Sequence, residues 1–183
     1  MNIYKLNRLG GYAFLNPATM VDGNALSDLK LRKSRDRWVA PTVEMVLENK
    51  GDQKYPRYQN SDYLTVGYPP KFTSHAIEVI GDMLSKNGEV LPLHSTDGSE
   101  YYVCAVKSID ALDKPLSEFS CFPDSERIML VKKYAFIKDV ISDADIFQVV
   151  GGQRATFVSQ AFVDRVVVSD LKGFGFKLVW SSE

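Results

Sequence analysis

The fold is decided by two copies of one motif, Phe72-Thr-Ser74-His-Ala76 and Phe157-Val-Ser159-Gln-Ala161. The first copy is followed by Gly88 and Leu93, and the second by Gly173 and Leu178. In both copies the serine precedes the glycine by 14 residues, and the glycine precedes the leucine by five. Each copy follows an acidic residue that opens an apolar segment, Asp62–Val66 or Asp145–Val149. The spacing predicts one unit used twice: strand, turn, serine-capped helix, glycine stop and strand.

The two predicted helices differ in quality. After Ser74, apolar residues recur at helical spacing up to Leu84, and Asn87-Gly88 predicts a left-handed stop. After Ser159, the β-branched run Val166–Val168 weakens helix propensity. The apolar positions of the two helices do not coincide when the copies are aligned without a gap.

The remaining chain alternates irregularly between strand and helix signals. We expect a strand at 1–16 that is broken by Gly10-Gly11, strands at 62–67, 89–94, 100–109 and 174–180, and one strand or two short ones at 128–140. We also expect a hairpin turn at 96–98 and a short helix at 41–49. The pattern predicts an α+β fold with a mixed or largely antiparallel sheet and a few short helices, built partly from two strand–helix–strand units. We expect one domain over 1–183, with an N-terminal part at 1–59 and the repeat-containing part at 60–180.

The composition is that of an ordinary globular protein. The chain has 183 residues, 45% hydrophobic and 25% charged, with a formal net charge of −1. No global field therefore draws it to nucleic acid or an anionic membrane. No signal peptide or membrane-spanning apolar run is evident, and Cys104 and Cys121 predict reduced thiols. We expect a soluble cytoplasmic protein.

The residues that could carry chemistry form no recognisable catalytic or metal motif. His75 and His94 lack an HExxH, HxH or His/Cys pattern. Asp139, Asp143 and Asp145 lack the spacing of a calcium loop, and the equivalence of Asp62 with Asp145 favours a shared turn role. The sequence predicts no catalytic residue, no metal ligand and no cofactor.

The strongest local charge feature is a basic stretch, 30–37, that ends on Trp38. Arg and Trp commonly anchor protein interfaces, so Arg35, Arg37 and Trp38 are candidate partner contacts. Two alternatives remain open: a solvated segment with Trp38 in the core, or a nucleic-acid-binding stretch. A tyrosine-rich segment downstream adds further candidates, namely Tyr55, Arg57, Tyr58, Tyr63 and Tyr68.

The second motif copy carries a resemblance to a known family. Asp145-Ile-Phe147, Phe157-Val-Ser159 and Gly173-Phe-Gly-Phe176 resemble the C-terminal signature of a bacterial immunity-protein family of polymorphic toxin systems, formerly a domain of unknown function. Asp62-Tyr-Leu64 with Phe72-Thr-Ser74 resembles its earlier part, so the resemblance spans about 60–180. The family often has Ser-Glu-Arg where this chain has Ser159-Gln-Ala161.

The resemblance implies neutralisation of a cognate toxin by stoichiometric binding without a cofactor, either by occluding the toxin's active site or by blocking its folding. It implies a toxin protein as partner, neither a membrane nor nucleic acid, and leaves the oligomeric state open. The alternatives are a small enzyme whose site is assembled from distant residues such as His94, Asp143 and Asp145, or a nucleic-acid-binding module at 30–38.

Overall fold

The computed structural model describes residues 1–29, 37–47, 60–152 and 154–182. The described helices are α1 (Met20–Ser27), α2 (Ser74–Lys86), α3 (Lys138–Ile141) and α4 (Gln160–Val168). The described strands are β1 (Asn2–Arg8), β2 (Phe14–Pro17), β3 (Thr42–Val46), β4 (Lys71–Thr73), β5 (Gly88–Ser95), β6 (Tyr101–Val106), β7 (Ser108–Ile109), β8 (Glu118–Cys121), β9 (Ile128–Lys133), β10 (Ile146–Val149), β11 (Thr156–Ser159) and β12 (Phe174–Ser181).

Most of the strands belong to two mixed sheets. One five-stranded sheet has the order β12-β1-β11-β10-β7, and the other has the order β2-β3-β5-β6-β4. Each sheet contains a single parallel pairing, β10 with β7 or β3 with β5, among antiparallel ones. The strands β8 and β9 form a separate antiparallel pair. The predicted α+β class with mixed, largely antiparallel sheets is confirmed.

The two strand–helix–strand units are confirmed, and they share an unexpected detail. In the first unit, β4-α2-β5, the strand β6 lies between β4 and β5 and is antiparallel to both. In the second unit, β11-α4-β12, the strand β1 lies between β11 and β12 in the same way. Each helix therefore crosses over one inserted strand. That strand comes from after the unit in one case and from the beginning of the chain in the other.

The helices of the two units pack into one core cluster. Their buried positions correspond to each other when the two motif copies are aligned with a shift of one residue. Ala76 and Ile80 of α2 then correspond to Phe162 and Val166 of α4, and all four are buried in the same cluster. The one-residue shift brings the apolar faces into phase, which the ungapped alignment could not do. Outside the core, the Arg165 guanidinium Nη1 lies 2.6 and 2.7 Å from the Asp82 carboxylate oxygens and links the two helices.

The shift also corrects the predicted cap of the first helix. Thr73, rather than Ser74, is the N-cap residue of α2, and its hydroxyl accepts a hydrogen bond from the Ala76 N–H at 3.2 Å. Ser159 is the N-cap of α4, as predicted, and its hydroxyl accepts from the Phe162 N–H at 3.2 Å. Thr73 and Ser159 therefore have the same capping role, although they are offset by one position when the two motif copies are aligned without a gap.

The two motif glycines are required for different reasons. The prediction of a glycine helix stop was wrong for Gly173: α4 ends at Val168 with Ser169 as its C-cap, and Asp170, at φ +54°, is the left-handed residue that follows. Gly173 has φ +86°, and a Cβ there would clash with Ser61 Oγ. The prediction was also wrong for Gly88, which lies in a strand without a positive φ. A Cβ at Gly88 would lie 2.8 Å from Cys104 Sγ and 2.9 Å from the Ala105 carbonyl oxygen, so the glycine permits close approach of β6.

Three further local predictions were wrong. Strand structure was expected over 128–140, but β9 ends at Lys133 and residues 138–140 belong to α3. Residues 41–49 were expected to include a helix, but Thr42–Val46 form β3, because pairing with β2 and β5 buries Val43 completely. Residues 62–67 were expected to form a strand, but they form bends with a single bridge from Tyr63 to Phe72.

An aspartate completes each capped helix start. The Asp62 carboxylate accepts from the Thr73 hydroxyl at 2.8 Å, and the Asp145 carboxylate accepts from the Ser159 hydroxyl at 3.2 Å. In both units the cap residue's N–H also donates to the aspartate's carbonyl oxygen, at 3.2 and 3.1 Å. The shared turn role predicted for the two aspartates is confirmed.

Each aspartate is also held by the far end of the other unit's helix. The Lys172 N–H, beyond α4, donates to the Asp62 carboxylate at 2.8 Å. The Asp145 N–H donates to the Asn87 side-chain oxygen, just beyond α2, at 2.9 Å. The two units therefore fix each other reciprocally.

We expect Asp62→Ala and Asp145→Ala each to lower the free energy of unfolding by about 1–3 kcal/mol, because each leaves a cap hydroxyl without its acceptor. Asp62→Ala should lower the free energy of unfolding more than Asp145→Ala, since it also leaves the Lys172 N–H without its acceptor. Urea unfolding followed by circular dichroism measures both. Asp143→Ala is the matched control: Asp143 is exposed, and its loss should change stability by less than about 0.5 kcal/mol. Equal effects of all three substitutions would contradict this account.

Candidate functional site

The structure describes two of the six residues first proposed as partner contacts. Arg35, Tyr55, Arg57 and Tyr58 lie outside the described residues. Arg37 is exposed. Trp38 is half-buried against a core cluster, and its indole N–H donates to the Pro92 carbonyl oxygen at 2.7 Å. For Trp38, the alternative of a structural residue packed on the core is therefore supported.

The two downstream tyrosines have different environments. Tyr63 is buried in the core between Phe72 and Phe174, with ring centroids 5.6 and 5.0 Å away, so its proposal as an exposed contact was wrong. Tyr68 is half-buried, and its hydroxyl donates to the Leu29 carbonyl oxygen at 3.3 Å. Its ring face lies near the Arg154 guanidinium, 5.8 Å from the ring centroid to the guanidinium carbon. Tyr68 therefore lies at the surface feature described next.

Three clefts adjoin one another around Arg154 and form a basic trough. We define the basic trough by its charged lining residues, which are Lys5, Arg8, Lys107, Arg127 and Arg154. The clefts have volumes of about 530, 510 and 380 Å³, and Arg154 lines all three. Tyr68 lies between the first two, and Gly151-Gly152 lie between the second and third.

The basic trough is assembled from separate elements. Lys5 and Arg8 come from β1, Lys107 from the link between β6 and β7, and Arg127 from the residue before β9. Arg154 lies in the connection between β10 and β11. There Gly151 has φ +70°, and the Gly152 N–H donates to the Val149 carbonyl oxygen at 3.1 Å. The glycine pair, which forms no phosphate loop in sequence, shapes the turn that presents Arg154.

The charge of the trough has one sign among the residues that the structure describes. No described Asp or Glu side chain lines any of the three clefts. Of the described residues, Lys107, Arg127 and Arg154 form no ion pair. In a chain of net charge −1, this is a local concentration of positive charge.

Sequence reasoning missed the trough, because its basic residues are spread from Lys5 to Arg154 and none forms a charge run. The aromatic neighbours offered the only local signals. Arg127 comes five residues after Phe122, and its guanidinium carbon lies 4.6 Å from that ring's centroid.

The residues proposed for a distant-residue enzyme site are not brought together. Asp145 contacts Asn87, whereas His94 lies seven residues further along β5, roughly 23 Å away at strand rise. Asp143 is exposed. In the described part of the chain, no group of three or more His, Cys, Asp or Glu residues could hold a metal ion.

Two buried ionisable groups lie away from the trough's lining. Burial lowers the pKa of the Lys71 ammonium to about 8 and raises the pKa of the Cys104 thiol to about 12. Cys104 and Cys121 are both free cysteines, as predicted.

Comparison with known protein families gives a match over part of the chain. Residues 91–180, just under half of the chain, match the Immunity protein family (Imm11). The resemblance to an immunity-protein family is thereby confirmed. The match begins within β5 and covers the second unit, but not the first motif copy. No curated protein matches the chain. Within the described residues the longest helix, α2, has 13 residues, and no helix there is long and apolar enough to cross a membrane.

The low pKa of Lys71 predicts a pH-dependent effect of Lys71→Met. Between about pH 8 and pH 10.5 the unfolded chain binds the lysine proton and the folded chain does not, so the stability of the unsubstituted protein rises across that range. Below pH 8 burying the charge carries its full cost. Lys71→Met should therefore raise the free energy of unfolding at pH 7, by up to about 3 kcal/mol, and the gain should vanish near pH 11. Urea unfolding from pH 6 to pH 11 measures it.

Lys133→Met is the control for Lys71→Met. Lys133 is exposed on β9, so its replacement should give a small change that does not vary over the same pH range. A Lys71→Met gain that persists undiminished at pH 11 would contradict the assignment to charge burial.

Proposed function

We propose that this chain, whose residues 91–180 match the Immunity protein family (Imm11), is an immunity protein that binds a cognate toxin stoichiometrically and neutralises it in the bacterial cytoplasm. The family match is the observation that carries the proposal. Neutralisation by binding requires no cofactor and no catalytic residue of this chain.

The signature residues support a division between scaffold and recognition. Asp145 and Ser159 form the cap of α4, Phe147 and Phe157 are buried in a core cluster, and Gly173 has a positive φ where the chain closely approaches Ser61. Residues with these roles hold the fold, and the two phenylalanines are inaccessible to a partner. We therefore assign toxin specificity to surface residues that the signature does not include.

The candidate contacts named from sequence remain part of the proposal. Arg37 is an exposed cation, and Arg35, Tyr55, Arg57 and Tyr58 are of residue types that anchor interfaces. Trp38 is a weaker candidate, because its indole N–H is already bonded to Pro92. Substitution of Arg37 tests this group, since its side chain is exposed.

The test is titration of the toxin encoded beside this chain's gene with the purified protein. We expect toxin activity to fall linearly and to reach its minimum near one molar equivalent, with a 1:1 complex on size exclusion. Co-expression should relieve toxicity in cells, because the complex forms before the toxin acts. A different toxin of the same cellular target serves as the specificity control.

The alternatives give different results in the same titration. An enzyme that inactivates the toxin would act at far below one equivalent, and its effect would grow with time. A nucleic-acid-binding module would form no complex with the toxin, and its affinity for an oligonucleotide would weaken steeply with salt. Unrelieved toxicity without a complex would overturn the proposal.

A further inference from the structure

We infer that the basic trough is the surface that receives the toxin, and that the toxin presents an acidic protein segment to it. This inference rests on the proposed function and adds to it the contact surface and the chemistry of the partner.

The charges of the trough are available for a partner. Lys107, Arg127 and Arg154 are exposed, and none is neutralised by an ion pair among the described residues. Three neighbouring clefts with basic linings produce a local positive potential that the chain's net charge of −1 does not reveal. Carboxylates are the groups that such a potential attracts and orients.

Two of the arginines lie against aromatic rings. Arg127 lies over the Phe122 ring at 4.6 Å, and Arg154 lies near the Tyr68 ring at 5.8 Å. A guanidinium stacked on an aromatic ring keeps its N–H fork free for bidentate contact with a carboxylate. Less side-chain freedom is then lost when the ion pair forms.

The apolar components of the trough favour a protein partner. Phe122 and Met129 line its third cleft and are 39% and 41% exposed, and Val66 lines its first cleft and is 56% exposed. Exposed aromatic and Met side chains next to Arg are typical of protein interfaces. A nucleic-acid site would draw its affinity mainly from phosphate contacts, and the chain's 23 acidic residues against 22 basic ones oppose that at long range.

The trough also lies largely within the segment that the family match covers. Lys107, Arg127, Arg154 and the Gly151-Gly152 turn all fall in residues 91–180, while Lys5 and Arg8 are brought to them by β1. The charged residues of the trough therefore lie outside the second unit, β11-α4-β12, and none of them is a capping residue.

The experiment measures binding of the toxin encoded beside this gene, purified in a catalytically inactive form, to Arg127→Glu, Arg154→Glu and the double variant. We expect each single reversal to weaken binding by at least about tenfold and the double reversal by more, because a like charge replaces the attraction. The association rate of the unsubstituted protein should fall as salt rises from about 50 mM to about 500 mM.

Lys138→Glu is the matched control, because Lys138 is an exposed cation in the first turn of α3 and lines none of the three clefts. It should bind the toxin with affinity unchanged within about twofold. All variants are first compared by thermal melting. Because Arg127 and Arg154 are exposed, their reversal should leave the melting temperature unchanged.

The outcomes separate this inference from the proposed function. If the unsubstituted protein binds the toxin and both reversals bind equally well, the trough is not the contact surface, although the immunity function stands. If the reversals abolish binding to a single-stranded DNA oligonucleotide and leave toxin binding intact, the trough is a nucleic-acid site and the inference is overturned. If the unsubstituted protein does not bind the toxin, the proposed function fails first.

Discussion

The structure depends on two sets of hydrogen bonds to part-buried aspartates, which join its repeated units. Asp62 binds the cap hydroxyl of its own helix and the backbone N–H of Lys172, at the end of the other unit's helix. Asp145 does the same for Ser159, and its own N–H is held by Asn87. The side chains are only 13% and 18% exposed, so water competes weakly for these bonds. Loss of either set would loosen a helix start and the contact between units together.

Much of the fold can be predicted from the sequence where the local sequence signal and the tertiary packing favour the same element. The β5–β6 hairpin with its Gly98 turn, the strand at 174–181 and the capped helix after Ser159 are cases in which spacing and turn chemistry suffice. The β3 strand was predicted as a helix, because its apolar spacing also fits one helix face and only pairing with β2 and β5 decides between them. Thr73 was overlooked as a cap because Ser74, next to it, satisfies the same rule.

The candidate site could not be predicted in the same way. Neighbouring residues determine a capped helix. The basic trough instead brings together side chains that are as much as 149 positions apart, from Lys5 to Arg154. Their proximity is a product of sheet order, which places β1 beside β11 and the β10–β11 turn beside the link after β6. The sequence does show a basic stretch at 30–37. The candidates there were chosen because basic residues are close together in the sequence, and not because their side chains meet on one surface. This difference is expected wherever neighbouring residues determine the scaffold and the order of strands determines which side chains share a surface.

The insertion of β1 between β11 and β12 determines when the protein can fold. A ribosome makes β1 first, yet neither of its hydrogen-bonding neighbours exists until residues 156–181 have been synthesised. Until then both edges of β1 are unpaired, and the Lys5 and Arg8 side of the trough has no partner wall. Contacts that close over most of the chain length slow folding. The sheet β12-β1-β11-β10-β7 is therefore completed only after translation has passed β12, and a chain that stops before residue 156 would leave both edges of β1 open to aggregation.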